Sequence, residues 1–201
     1  MPTPGNVALR PATADDSDTI ARFICIAGGG LYEFLFDELI PFMSAIDFVS
    51  GGVGSEHYPI SYRNCVVAED AVVGEIVGVA NVFPADELRH ERYSLLPSGR
   101  HEHVRPMLEL QDWGSMFLNA LAVSDHCRGG GIGSRLLAWA EDRARESGLG
   151  RLSLHVWADN RRALALYRWH GFVELGVAEM PPHERLPHVG GSILMRKALA
   201  R

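Results

Sequence analysis

The stretch HCRGGGIGSRLL, His126–Leu137, joins a glycine-rich bend to an amphipathic segment. Consecutive glycines permit positive φ and let main-chain N–H groups approach a ligand with no Cβ in the way. From Ile132 onward, Ile132, Leu136, Leu137, Ala140 and Ala144 fall on one side of a helix, with Arg135, Glu141, Asp142, Arg145 and Glu146 on the other. The first amides of that helix are unpaired donors at the positive end of its dipole, which makes an anion site whose usual occupant is phosphate. Arg128 adds a full positive charge beside it, so a pyrophosphate is the expected ligand.

Three glycine loops share this local logic. A P-loop needs Gly-Lys-Ser/Thr, and here Gly133 is followed by Ser134 and Arg135. The dinucleotide pattern G-x-G-x-x-G fails as well, because counting from Gly129 or Gly131 puts Ser134 or Leu136 at the third glycine. The pattern that fits is Arg-x-x-Gly-x-Gly, carried by Arg128, Gly131 and Gly133. Taken alone, a bare glycine turn opening a helix explains it equally well, so the rest of the chain decides.

At 201 residues and 47% hydrophobic content, the chain can bury one sizeable core, and residues 1–201 read as a single domain. Cys25, Cys65 and Cys127 form no CxxC pair and leave an odd thiol, which suits a reducing, cytoplasmic setting. Cys127, beside the loop, reads as a small structural thiol. The amino end MPTPGNVALRPATADD has no apolar h-region, and the most apolar run, AVVGEIVGVANVF, is short and carries Glu75, so no membrane association is expected. A net charge of −6 with scattered Lys and Arg argues against a nucleic-acid surface. His101 with His103, and His183 with His188, lack i, i+4 spacing and a Cys partner, so they read as solvated loop histidines, and no metal is expected.

Val7–Arg10 is a strand candidate, followed by a helix near Thr19–Ala27 and a second helical stretch, LYEFLFDELIPFM, that gives way to a Gly/Ser-rich loop at Ser50–Ser55. Asn64–Glu69 and Glu75–Phe83 read as an antiparallel hairpin. Residues 84–114 form a long irregular connection, a lid or substrate-side segment, with its own helix at Val104–Gln111. Met116–Val123 is a strand, Ile132–Ser147 a helix, and Leu152–Trp157 another strand. Asn160 caps a helix over Arg161–His170, and Phe172–Ala178 and Ser192–Lys197 are the last strands. The predicted fold is α/β (α+β): a mixed sheet, antiparallel in its first half and parallel around a crossover in its second, with helices on both faces.

The run from Leu118 to Gly176 resembles the GNAT acyltransferases (GCN5-related N-acetyltransferases). The parts agree in order: the strand LNALAV, Arg128-x-x-Gly131-x-Gly133, then Asn160 with A-L-x-L-Y through Tyr167, and G-F at Gly171 and Phe172. The resemblance implies that Arg128, Gly129, Gly130, Gly131, Ile132, Gly133 and Ser134 hold the pyrophosphate of coenzyme A, with acetyl-CoA as donor and co-substrate. It also implies that the pantetheine arm lies along the main chain of Leu121, Ala122 and Val123 as an added strand would. Asn160, already an N-cap, is a further candidate contact to that arm.

Amide formation needs a neutral amine, an N–H donor at the developing oxyanion and a proton for the leaving sulfur. By the resemblance, the Val123 amide is the candidate oxyanion donor and Tyr167 the candidate acid. His155 lies twelve residues before Tyr167, where similar enzymes often carry a glutamate, and is the candidate base; a hydrogen-bonded structural histidine is the equal alternative. Glu109, Asp112 and Asn119 are further polar candidates, and Tyr32, Glu33 and Asp37 fall where this superfamily commonly forms its acceptor wall. The expected activity is direct transfer of acetyl to an amine-bearing small molecule or peptide in a ternary complex. A non-catalytic acyl-CoA-binding module or sensor is the alternative, and the oligomeric state is open, a homodimer included.

Overall fold

The computed structural model describes residues 6–90 and 96–200. Seven strands form one sheet in the order β1-β2-β3-β4-β5-β7-β6: β1 (Val7–Pro11), β2 (Cys65–Asp70), β3 (Glu75–Pro84), β4 (Met116–Val123), β5 (Arg151–Trp157), β6 (Val173–Ala178) and β7 (Ser192–Ala198). All neighbours are antiparallel except β4 and β5, which are parallel. The mixed α/β sheet is therefore as predicted, but the parallel pairing is confined to that one pair.

Helices cover both faces. On one, α5 (Ile132–Glu146) and α6 (Arg161–Trp169) bury Leu136, Leu137, Ala140, Leu164 and Tyr167 against Val66, Ala68, Val77 and Val82 of the sheet. On the other, α1 (Ser17–Gly28) and α3 (Ala45–Gly54) bury Ile20, Ile24, Val49 and Val53 against Val67, Val79, Ala120 and Ala122. The alternation of β2, β3 and β4 residues between the two cores is the period-2 geometry of a strand covered on both sides. A third cluster joins the short α2 (Leu31–Phe36) to α4 (Ser98–Glu109) through Phe34, Leu35, Val104 and Met107.

The middle of the chain departs from the sequence reading. The stretch LYEFLFDELIPFM is helical only over Leu31–Phe36, and the predicted Gly/Ser-rich loop is the end of α3. A capping box nucleates α3: the Ser44 side chain accepts from Asp47 N, and Asp47 accepts from the Ser44 main-chain N–H at 2.9 Å. Gly52 is tolerated inside this helix because Ile60 packs against it; a Cβ there would meet Ile60 Cδ1 at 2.7 Å. In the connection from 84 to 114, α4 begins six residues before the expected Val104 and contains Pro106. Residues 91–95 of that connection lie outside the described residues, as do residues 1–5 of the amino end. Among the described residues no helix is long and apolar enough to cross a membrane.

Leu136 is fully buried where the first turns of α5 meet the sheet. Leu136→Ala is expected to destabilise the protein by about 2–5 kcal/mol, read as a lower midpoint in urea unfolding.

Candidate active site

The site begins where β4 and β5 part. Their ladder holds only two residue pairs, Met116 with Leu152 and Phe117 with Ser153. Across β3 the register skips Asn119, pairing Asn81 with Ala120 and Val82 with Leu118, so Asn119 is the extra residue of a β-bulge that bends β4 away from β5. A cleft of about 1780 Å³ opens there, and it runs from the glycine loop past β4 to the α2–α4 side of the sheet.

The strand edge facing this cleft can be assigned group by group. Ser124 N donates to Val77 O at 2.8 Å, and Val79 pairs with Ala122. In an antiparallel ladder, hydrogen-bonded and non-bonded pairs alternate, so the main-chain groups of Ala122 are spent on β3 while those of Leu121 and Val123 point to the open edge. Consistent with this, Arg128 Nε donates to Val123 O at 3.1 Å, and its guanidinium also pairs with Asp125. The free groups at this edge are therefore the N–H and C=O of Leu121 and the N–H of Val123; Ala122 lines the cleft without offering its main chain to it.

Gly131 sits at the head of α5 with φ of +79°, and Gly129 at +84°. Among the described residues, no atom beyond the chain neighbours lies within 4 Å of where a Cβ would stand on either, so both leave open space above the first amides of α5. Arg128, Gly129, Gly131, Ile132, Gly133 and Ser134 all line the cleft, whereas Gly130 does not. The Ser134 hydroxyl lies 3.0 Å from His170 Nε2. Burial, first, and the nearby Lys197 hold the His170 pKa below its usual value. Asn160 caps α6 by accepting from Ala163 N at 3.1 Å and also lines the cleft.

Tyr167 is buried, packs at a tilt on Phe172 and faces the cleft. Among the described residues its hydroxyl has no hydrogen-bond partner, and burial pushes its pKa up to about 12, so it keeps its proton at neutral pH.

His155 lines the cleft from β5, but its ring is already engaged. Nε2 lies 2.8 Å from Leu110 O, and because a carbonyl only accepts, Nε2 carries the proton. Nδ1 then accepts from the Ser192 hydroxyl at 3.0 Å. Burial brings its pKa down to about 4, so the ring is neutral at physiological pH.

Other sequence candidates lie elsewhere. Glu109 is exposed at the end of α4 and pairs with Arg105, and Asp112 pairs with Arg151. Neither is among the residues lining the cleft. Tyr32 lines it and donates to Asn119 Oδ1 at 3.2 Å, whereas Glu33 and Asp37 border a separate shallow pocket with Glu38 and Arg185. Cys127 is buried, and burial raises its pKa, which suits a structural thiol.

Three of the four histidines read as solvated are packed against other side chains. His103 and His183 pack on Phe34 and on each other. His188 stacks on Trp157 with rings 4.2 Å apart and bonds Asp159 and the Gly29 carbonyl. The groups that sequence reasoning missed are those that fix other residues: Leu110 and Ser192 around His155, and Asn81 behind Asn119. Nothing in their local sequence marks them, because each meets its partner only through contacts between residues far apart in the chain.

Comparison with known proteins agrees with this fold. The acetyltransferase (GNAT) family model matches residues 35–172, more than half of the chain, and the chain belongs to that family. It is 28% identical to an aminoalkylphosphonate N-acetyltransferase of Salmonella typhimurium over 166 residues, 82% of this chain and 83% of that one. A shorter stretch of 61 residues is 44% identical to a mycothiol acetyltransferase of Jonesia denitrificans; it covers 30% of this chain and only 19% of the relative's length. The fold matches an N-acetyltransferase from Staphylococcus aureus Mu50 with a TM-score of 0.70 at 22% identity, covering 94% of this chain and all of that one. A ribosomal-protein-alanine N-acetyltransferase from Brucella melitensis matches at 0.60 and 23% identity, over 96% of this chain and 99% of that one.

The His155 environment sets a pH dependence. Its folded pKa of about 4 lies below the ordinary value of about 6.5. Between these values the unfolded chain binds a proton that the folded chain does not, so stability is lost as pH falls from about 6.5 towards 4. His155→Gln should flatten that part of the profile relative to the parent, read from urea midpoints at pH 8 and pH 5.

Proposed function

We propose that the protein transfers an acetyl group from acetyl-CoA to an amine by direct attack within a ternary complex. The observation that carries this reading is the parting of β4 from β5 directly beside the head of α5. One wall then offers unpaired strand groups, at Leu121 and Val123, next to unpaired helix amides at Gly131–Ser134. An extended amide-bearing arm ending in a pyrophosphate fits both, the arm as an added strand and the anion at the helix head.

The open space above Gly129 and Gly131 admits phosphate oxygens, and Arg128, fixed to Val123 O, supplies charge at the same corner. Acetyl-CoA would bring the activated thioester and a thiolate leaving group. The Val123 N–H faces the edge where the thioester oxygen gains negative charge, and stabilises it. The amine nitrogen bonds to the carbonyl carbon and loses a proton, the C–S bond breaks, and Tyr167 gives its proton to sulfur. A tyrosine held protonated by burial suits that role.

His155 enters this reading as a positioning residue. With Nε2 donating to Leu110 O and Nδ1 accepting from Ser192, it ties β5 to the segment after α4 and keeps that wall of the cleft in place. The amine then releases its proton to solvent in the cleft, from which Tyr167 regains the one given to sulfur. The relative that acts as an aminoalkylphosphonate N-acetyltransferase supports an amine acceptor in general terms.

Calorimetry should detect binding of acetyl-CoA and none of NAD; the reverse result overturns the proposal. Gly131→Val should abolish acetyl-CoA binding, because a side chain at positive φ is strained and fills the phosphate path. Tyr167→Phe should lower kcat by about 10²- to 10⁴-fold with acetyl-CoA affinity kept, read by free-thiol release with an amine acceptor.

A further inference from the structure

Behind the glycine loop stands His170, at the far end of α6. In α5, Arg135 N bonds back to Gly131 O at 3.1 Å, so the N–H groups of Ile132, Gly133 and Ser134 precede the first intrahelical bond. Ser134 lines the cleft and adds a hydroxyl beside those amides. A helical serine can turn its hydroxyl back to a carbonyl of the preceding turn. Here the oxygen lies 3.0 Å from His170 Nε2 instead.

The end of α6 holds the ring in place. His170 caps that helix, its N–H donating to Leu166 O at 3.0 Å, and Gly171 follows with φ of +86° and turns the chain away. Trp169 packs against the ring with centroids 4.7 Å apart, nearly at right angles. The imidazole thus joins the carbonyl end of α6 to the amide end of α5.

The charges nearest the ring are already engaged with one another. Lys197 Nζ lies 2.5 Å from Glu141 Oε1, and Arg145 pairs with Glu141 Oε2 at 3.3 Å. Burial, first, and Lys197 outweigh Glu141 and hold the His170 pKa below its usual value, so the ring is neutral at pH 8.

A neutral imidazole carries one N–H, on Nε2 or on Nδ1, and a hydroxyl has one proton to give. If Ser134 gives that proton to Nε2, its oxygen offers only lone pairs to the helix head and repels an anion there. If Nε2 carries the ring proton, it donates to Ser134 Oγ, and the hydroxyl proton is left for a phosphate oxygen. Only the second arrangement suits a pyrophosphate at the loop.

We propose that His170 is a positioning residue for the donor: with Nε2–H donating to Ser134 Oγ, it fixes the Ser134 hydroxyl as a hydrogen-bond donor to the pyrophosphate. This rests on the acetyl-CoA reading above. His170 follows Tyr167 by three residues, so the same contact ties the anion site to the helix that carries the proposed acid.

Two measurements test it. Nitrogen-15 correlation spectra of the histidine rings at pH 8, with acetyl-CoA bound and His170 assigned by its loss in His170→Gln, should show the Nε2–H tautomer. An unprotonated Nε2 in that complex overturns the proposal. The second measurement is the acetyl-CoA Kd by calorimetry. His170→Leu should weaken binding by about tenfold, the order expected for a hydrogen bond to a charged group. His170→Gln, whose amide N–H can stand where Nε2–H stands, should restore most of that loss. In a Ser134→Ala background His170→Leu should cost nothing further, because the donor it positions is gone. Parental affinity in His170→Leu, a His170→Gln protein as weak as His170→Leu, or a His170→Leu loss that persists beside Ser134→Ala each overturns the role of His170 alone. If the parent protein does not bind acetyl-CoA, the donor reading fails and this inference fails with it.

Discussion

Everything functional in this molecule depends on a parallel ladder that stops after two residue pairs. Once β4 and β5 part beyond Phe117 and Ser153, the main chain of β4 has no partner on one side, and a buried strand cannot leave its polar groups unpaired without cost. The structure meets that constraint by opening the gap to a cleft. Arg128 takes the Val123 carbonyl, and the remaining main-chain groups of Leu121 and Val123 face the cleft. The bulge at Asn119 makes the parting abrupt, and Asn81 holds the bulged residue from behind.

The two cores keep that opening rigid. α5 and α6 press on one face of the sheet and α1 and α3 on the other, so β4 is clamped between layers even though its ladder to β5 is incomplete. The clamp also divides labour. The α5–α6 side carries the glycine loop, Asn160 and Tyr167, while the opposite side, with α2 and α4, carries the apolar walls. Under the proposed transfer, donor and acceptor enter from different sides and meet at β4.

Charge follows the same division. Arg128 lies beside the helix head, where the dipole already favours anions, and the far end of the cleft is lined largely by apolar groups, with Asn119 held from behind by Asn81. Tyr167 and His155 show how burial sets chemistry on the two flanking elements. One is kept protonated and the other neutral, and of the two only Tyr167 has a side-chain polar atom with no partner among the described residues.

By itself the sequence determined what is local. The glycines before Ile132 announce positive φ and a helix head, the period-3.6 pattern of α5 predicts its buried face, and Asn160 signals a cap; each depends on neighbours within a few residues. Tertiary structure decided what depends on groups far apart in the chain. The glycines at 51, 52 and 54 read as a loop because their local preference opposes helix, and the Ser44–Asp47 box with Ile60 overrides it. His155 looks like a base in sequence, but Leu110 and Ser192, 45 and 37 residues away, engage both ring nitrogens. Hydrogen-bond saturation and burial are properties of packing, and no pattern along the chain encodes them.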